Sequence, residues 1–477
     1  MKRNLFLSLF GTAALLLLGC SDPTSEPAGG PWSHGALCVS ADGRFLQHTD
    51  GTPFFWLGNT AWLLPEKSTR EEAGLFLDAT AAAGYNVIPV QVVNGVPATN
   101  AYGASSMPDG FDFSRIAGEG PDGYWRHMDY IVRAAADRGL YVGMVCIWGG
   151  LVKAGLMNEE QAAAYGAFLA DRYREAPNIV WIIGGDIRGD VQTAVWERLA
   201  RTIKSRDPNH LMTFHPFGRT SSAQWFHNAE WLDFHLFQSG HRRYDQLRSA
   251  DDSPEAAALN EDNWRYVEAG RALEPAKPIL DGEPVYEDIP HGLHDPAEPR
   301  WTAADVRRYA YWSVFAGACG HTYGHNAIMQ FHAGNGETGA YDARKSWREA
   351  LHDEGFLQMH HLADLIGRFP YFERVPDQSL LDEEEGFRYD RAVATRGRDY
   401  LLVYNYTNRP MTVNLDRIEG AVKRIVWFDP RTGTWEEGGE SAGGSCLFRH
   451  DSPEGPGNDR VLVAFDARKA YFPPAAE

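Results

Sequence analysis

The run Asn178-Ile-Val-Trp-Ile-Ile-Gly-Gly-Asp186 decides how the rest of the chain is read. Its unbroken β-branched and aromatic residues describe a strand buried on both faces, not one with a wet side. Two glycines then stop the strand and leave a carboxylate at its carboxyl end. Lys277-Pro-Ile-Leu-Asp-Gly-Glu283 repeats the pattern of short apolar strand, glycine and acid. Strands of this kind build parallel sheets whose faces are covered by helices.

Working outward, the same alternation of strand and helix continues from about residue 54 to 365. Strands are expected at 54–59, 84–91, 140–148, 178–186, 211–215, 231–238, 277–283 and 320–325. Helical patterns separate most of them, at 68–83, 124–138, 159–173, 191–206, 260–270 and 303–315. Ser68 with Glu71 three residues later suits a capped helix start. Eight strands in this order fit an α/β fold of the (β/α)₈ TIM-barrel type. An open nucleotide-binding sheet would carry a glycine-rich phosphate loop after its first strand, and Gly58-Asn59-Thr60 is not one. No cofactor is implied.

After about residue 369 the segments become short, β-rich and bounded by turns. They fall at 387–394, 399–405, 411–415, 421–428 and 461–466, with Asp429-Pro-Arg-Thr-Gly433 as a turn signal. A small C-terminal all-β sandwich is expected. The expected organisation is a signal peptide at 1–20, a tether at 21–35, the barrel at 36–368 and the sandwich at 369–477.

The amino terminus has Lys2 and Arg3, an apolar run from Leu5 to Leu18, and Leu17-Leu18-Gly19-Cys20, which resembles a bacterial lipobox. The run is short for a membrane span, so a lipoprotein signal peptide with Cys20 as the lipidated residue is expected. This places the protein in the cell envelope, on either face of the outer membrane. Ser, Pro, Gly and acidic residues after Cys20 form the tether. The 45 basic and 64 acidic side chains leave a net charge of −19, which argues against nucleic acid or an anionic membrane surface as partner. Cys146 and Cys319 lie in apolar segments and read as buried thiols. With Cys38 and Cys446 they suggest no zinc spacing and no disulfide framework.

Acids at the carboxyl ends of barrel strands read as catalytic, because the loops there build the site. Cleaving a glycosidic bond takes one group to protonate the leaving oxygen and another to attack or to activate water, and two carboxylates with diverging pKa values meet both needs. Asp186 ends strand four and Glu283 strand seven. Asp186 could instead cap a helix, and Glu283 could be a simple strand-end charge. Asp281 points to the same strand face as Glu283 and is its rival, with Glu287 and Asp288 as further loop acids. Candidate substrate contacts gather at the other strand ends: Asn59 and Trp62, Gln91 and Asn94, Trp148, His215, His235 and Gln238, Tyr323, His325 and Asn326. Sugars are held by hydrogen bonds to hydroxyls and by stacking on aromatic rings, so the mixture suits carbohydrate. A metal site built from His215, His235, His321, His325 and Asp233 is the alternative use of the histidines. It lacks the His-x-His expected after strand one, and no metal is expected. No Gly-x-Ser-x-Gly elbow supports a serine hydrolase.

Leu46-Gln-His-Thr-Asp-Gly-Thr-Pro-Phe-Phe-Trp-Leu-Gly-Asn-Thr-Ala-Trp62 resembles the opening of a family of bacterial barrel glycosidases that includes the apiosidases of pectin degradation. Ala82-Ala-Gly-Tyr-Asn-Val-Ile-Pro-Val-Gln91, the Gly-Gly-Asp186 run and Pro278-Ile-Leu-Asp-Gly-Glu-Pro284 resemble it too. The C-terminal segment, with Tyr404-Asn-Tyr406 and Trp427-Phe-Asp-Pro-Arg431, is similar to the β-sandwich named in that family for collagen binding. The resemblance implies that Asp186 is the acid/base and Glu283 the nucleophile or base. It also implies removal of a terminal sugar, apiose, from an acidic pectin side chain by an exo-acting enzyme. Retention of configuration would place the two carboxyls about 5–5.5 Å apart. Loops 95–123 and 239–260 are expected to set specificity, the second offering Arg242, Arg243 and Arg248 to a uronate. The alternatives are a non-catalytic carbohydrate-binding surface lipoprotein, an adhesin, or a glycosidase of other sugar specificity. Oligomeric state is left open.

Overall fold

Eight short strands form the barrel: β1 (Trp56–Asn59), β2 (Val87–Gln91), β3 (Tyr141–Val145), β4 (Ile179–Ile187), β5 (Met212–Pro216), β6 (His235–Gln238), β7 (Ile279–Asp281) and β8 (Gly320–Tyr323). Nearly every residue in them is buried, as the apolar runs require. Neighbours pair in parallel from β1 to β5, from β6 to β8, and from β8 back to β1. The ring is closed differently between β5 and β6. There the Asp233 N–H reaches Met212 O at 2.9 Å, Thr213 Oγ1 reaches Phe234 O at 2.7 Å, and a two-residue strand, Thr220–Ser221, pairs antiparallel with β6. All eight expected strands are present.

The computed structural model describes residues 30–246, 259, 261–336, 338–381 and 385–473. The expected signal peptide, Cys20 and most of the tether lie outside the described residues, as does Arg248. The end of the expected tether is docked: Pro31–His34 form a 3₁₀ turn, Trp32 Nε1 donates to Ala136 O at 3.3 Å, and its ring meets Tyr141 edge-on. A three-stranded antiparallel sheet (Leu37–Val39, Leu46–His48, Pro53–Phe54) follows, and it closes the floor of the barrel over Trp56, Tyr141, Val180 and Leu280. No helix among the described residues is long and apolar enough to cross a membrane.

Six helices form most of the outer layer: α1 (Arg70–Ala82), α2 (Tyr124–Ala136), α3 (Glu159–Tyr173), α4 (Thr193–Arg206), α5 (Asn263–Arg271) and α6 (Ala303–Phe315). The capping box of α1 sits one residue later than expected. Thr69 and Glu72 satisfy each other's backbone N–H groups, whereas the Ser68 hydroxyl donates to Leu64 O at 2.7 Å and closes the turn before the helix.

Among the described residues the C-terminal unit has eight strands: β9 (Val375–Pro376), β10 (Ala392–Arg396), β11 (Tyr400–Asn405), β12 (Met411–Asn414), β13 (Lys423–Phe428), β14 (Trp435–Ser441), β15 (Ser445–Phe448) and β16 (Arg460–Asp466). A six-stranded antiparallel sheet in the order β9-β10-β11-β16-β13-β14 is covered by the pair β12-β15. Period-two alternation sorts its side chains. Leu401 and Val403 face the β12-β15 pair, whereas Leu402 and Tyr404 belong to the core shared with the barrel. Tyr404 stacks on Tyr311 of α6 at 4.7 Å, and Arg307 of the same helix is held by Asp459 at 2.8 and 3.0 Å with both groups buried. The sandwich is thus seated on the barrel. Strands β9, β14 and β15 carried no sequence signal: β14, Trp-Glu-Glu-Gly-Gly-Glu-Ser, is mostly exposed and so lacks the apolar alternation that marks a strand.

Candidate active site

The Gly-Gly-Asp run ends β4 in a bulge. The β4–β5 ladder pairs Gly184 with His215 and resumes at Ile187 with Pro216, so Gly185 and Asp186 are extra residues. Gly184, Gly185 and Asp186 all have positive φ, at 87°, 120° and 50°. A Cβ on Gly184 would lie 2.6 Å from His215 O, and one on Gly185 2.7 Å from the Trp148 ring. Both glycines are therefore required by backbone angle and by space. The bulge turns the Asp186 N–H onto His215 Nδ1 at 3.2 Å and its carboxyl into a cavity of about 480 Å³.

Glu283 enters the same cavity from the end of β7. A Cβ on the preceding Gly282 would meet Leu236 at 2.5 Å, so the strand passes β6 closely there. His241 Nε2 lies 3.1 Å from Glu283 Oε1, and His215 Nε2 lies 3.0 Å from Oε2. His215 Nδ1 accepts from a backbone N–H, so its proton sits on Nε2, facing Glu283. Burial opposes a charge on Glu283, but the two histidines overcome it and hold the carboxyl down at about 2. Asp186 goes the other way. Burial, and then the charge of Glu283, push it up to about 6, although Gln238 hydrogen-bonds to it. At mildly acidic pH the pair is one protonated acid and one carboxylate, the division that general-acid and nucleophilic roles demand.

Trp62 and Trp148 form an aromatic wall, 5.8 Å between ring centroids, with His215 against both. Trp62 Nε1 donates to Tyr286 Oη at 3.2 Å, and Tyr286 packs edge-on to His241. Gln91, Asn94, Gln238, Arg219 and Arg242 supply polar groups to the lining. Tyr341 lines the same cavity, where burial and then the charges of Asp186 and Glu283 raise its hydroxyl.

Of the residues expected at the site, Asp186, Glu283, Trp62, Gln91, Asn94, Trp148 and Gln238 line the cavity and His215 contacts Glu283. Five others lie elsewhere. Asn59 is buried against the helix layer, donating to Thr80 Oγ1 at 3.1 Å. His235 is the first residue of β6, at the opposite end from the site, and pairs with His227 at 3.1 Å. Tyr323 donates to buried Glu287 at 2.6 Å. His325 accepts the Ala327 N–H and meets Asp353 at 2.8 Å, capping a short helix. Asn326 likewise serves the backbone, donating to Asp288 O and Tyr341 O. Asp281, the rival to Glu283, is locked in the wall by Ser239 at 2.7 Å and Asn263 at 3.0 Å, and burial pushes it up to about 7. Loop 95–123 contributes nothing to the lining; Phe113, for example, stacks on Phe168 at 4.4 Å. His241, Tyr286, Arg219 and Tyr341 were not singled out from sequence; they sit on loops, where no periodicity marks a direction. The histidines and Asp233 considered for a metal are dispersed, Asp233 being held by Lys204. Among the described residues only His360, His361 and Asp364 bring three ligand atoms within 4.8 Å of one another.

Residues 40–373 match the family model described as the apiosidase-like catalytic domain, and residues 375–464 match one named for the collagen-binding domain of a collagenase. A solved structure described as a glycoside hydrolase is 58% identical, with a TM-score of 0.91, covering 93% of this chain and 99% of its own. A family 5 glycoside hydrolase from Bacteroides vulgatus is 55% identical, with a TM-score of 0.92, covering 94% and 97%. No curated protein matches the chain.

Proposed function

The chain belongs to the apiosidase-like family of glycoside hydrolases, and from that premise we propose that it is an exo-acting, retaining enzyme that releases a terminal sugar, apiose, from pectic polysaccharide. The observation that carries the reading is the pair of buried carboxyls on one cavity, Asp186 raised and Glu283 lowered. Glu283 attacks the anomeric carbon as Asp186 gives its proton to the departing glycosidic oxygen, leaving a sugar esterified to Glu283. Asp186, now a carboxylate, takes a proton from water, whose oxygen displaces Glu283 and frees the sugar. The cavity falls within the size range of small-ligand sites, which supports action on a chain end. Arg219 and Arg242 on its lining support an acidic neighbour, because guanidinium forks match carboxylates. Lipid anchorage through Cys20 in the cell envelope belongs to the same proposal, and Cys20→Ser should release the protein from the detergent phase.

The test is incubation with pectic oligosaccharides, chromatography of the released sugar, and proton NMR of the anomer first formed. Glu283→Gln and Asp186→Asn should each nearly abolish release. Wild-type turnover in either variant refutes the assignment, and an inverted first product refutes retention.

A further inference from the structure

The loop after β6 brings His241 to Glu283 and Arg242 to the cavity, and its next described residues are fastened to the C-terminal sandwich. The Tyr244 N–H donates to Glu261 Oε1 at 2.8 Å, and its hydroxyl hydrogen-bonds to Asp262. The same Glu261 oxygen accepts the hydroxyl of Tyr389, a sandwich residue, at 2.9 Å. Its other oxygen takes Arg308 of α6 at 2.7 Å, and Glu261 and Arg308 are both fully buried. The Arg308 guanidinium lies 4.8–5.3 Å from four ring centres: Tyr309 and Trp312 of the barrel, Tyr389 and Tyr406 of the sandwich. The Tyr389 ring packs on Tyr244 at 5.5 Å, and Arg388 lies over Tyr244 at 4.8 Å.

We propose that the sandwich is a positioning element of the active site: Arg388 and Tyr389, through Glu261 and Tyr244, hold the loop that presses His241 against Glu283. The inference rests on the catalytic reading above. A buried ion pair serves this purpose better than an apolar contact would, because Glu261 accepts only from donors at fixed directions and so sets where Tyr244 lies. A binding module acting for itself would present such aromatics to solvent. Here they are turned onto a barrel loop.

The experiment compares wild type, Tyr389→Phe and Arg388→Ala/Tyr389→Phe on the same pectic oligosaccharides, reading the acid limb of the initial rate at limiting substrate. The limb reports the protonation of Glu283 once each rate is divided by the folded fraction that circular dichroism gives at that pH. Glu283 is faced by Asp186 from β4, His215 from β5, His241 from the β6 loop, and Tyr286 and Tyr341 from later loops, with Asp281 behind it and Arg219 and Arg242 on the same cavity; neither sandwich substitution alters any of these. Couplings carried by such networks correspond to an upward shift of roughly 0.4–1.5 pH units in the double variant. In a His241→Ala background the same substitutions should add no shift, since the link they support is already gone. A limb displaced by less than roughly 0.4 unit, or an undiminished shift in the His241→Ala background, overturns the proposal. Tyr389→Phe removes one oxygen and leaves the ring, so it carries the test should the double variant fail to fold. If Glu283→Gln is inactive and the limb stays put, this inference alone falls; if Glu283→Gln is fully active, the catalytic reading falls with it.

Discussion

Replacing His241 with alanine should raise the lower edge of the active pH range, and shift the upper edge upward by less, because the charge of His241 also lowers Asp186. A hydrogen bond to a charged group is worth about 1.5–3 kcal/mol, and one pH unit corresponds to 1.36 kcal/mol, so losing one donor lifts the Glu283 carboxyl by about 1–2 units. From about 2, it moves to about 3–4. Glu283 acts as an anion, so activity disappears as pH falls through its pKa; raising that pKa brings the loss to higher pH. The alkaline edge is set by Asp186, which must hold a proton and releases it at about 6. At that pH Glu283 is charged in both proteins and its push on Asp186 is unchanged, but the lowering by His241 is lost, so this edge moves up as well, by less than the acid edge. The assay is initial rate at limiting substrate between about pH 2 and pH 7, with folding checked by circular dichroism at each pH. Wild type should hold its rate toward pH 3, and His241→Ala should lose about tenfold per unit below its new edge. A uniform loss across the whole range, with the acid edge unmoved, would refute the reasoning and leave His241 as a contact for substrate alone.

Asp186→Asn should remove activity and stabilise the fold. Asp186 is ionised at neutral pH at a cost, because its folded pKa is raised above its ordinary value; discounted for the open cavity, the relief is about 1–2 kcal/mol, a few degrees in Tm. The gain is present above about pH 6 and vanishes as pH falls below the unfolded value near 3.8, where the carboxyl is protonated in both states; a Tm difference independent of pH would contradict this. Asp459→Ala strands the buried guanidinium of Arg307 between barrel and sandwich and should cost about 3–5 kcal/mol by urea denaturation. A cost under about 1 kcal/mol would show that solvent and Gln358, whose Oε1 already accepts from Arg307 Nη1 at 2.6 Å, replace the carboxylate.

The barrel strands were readable because parallel strands buried on both faces leave unbroken apolar runs, and both acids were readable because each run stops at glycine. Depth and direction were not readable. Asn59 and Tyr323 end their strands as expected, yet their polar atoms meet Thr80 and Glu287 in the core. His235 shares its strand with Gln238, but the two stand at opposite ends of it, and only Gln238 is at the end where loops gather. His241 and Tyr286 reach the site by loop geometry that tertiary contacts impose. Asp281 and Glu283 could be separated only in three dimensions, where Ser239 and Asn263 claim the first.

The bulge at the end of β4 also bears on how such a site can be inherited. Three consecutive left-handed residues, two of them pressed against His215 and Trp148, make Gly184, Gly185 and Asp186 a single hereditary unit. A change at either glycine displaces the acid without touching it. No one-step substitution elsewhere can restore its place, because the missing room is backbone room. Descendants of this chain that keep the chemistry should keep all three residues together, and those that lose one glycine should be found drifting at the acid as well.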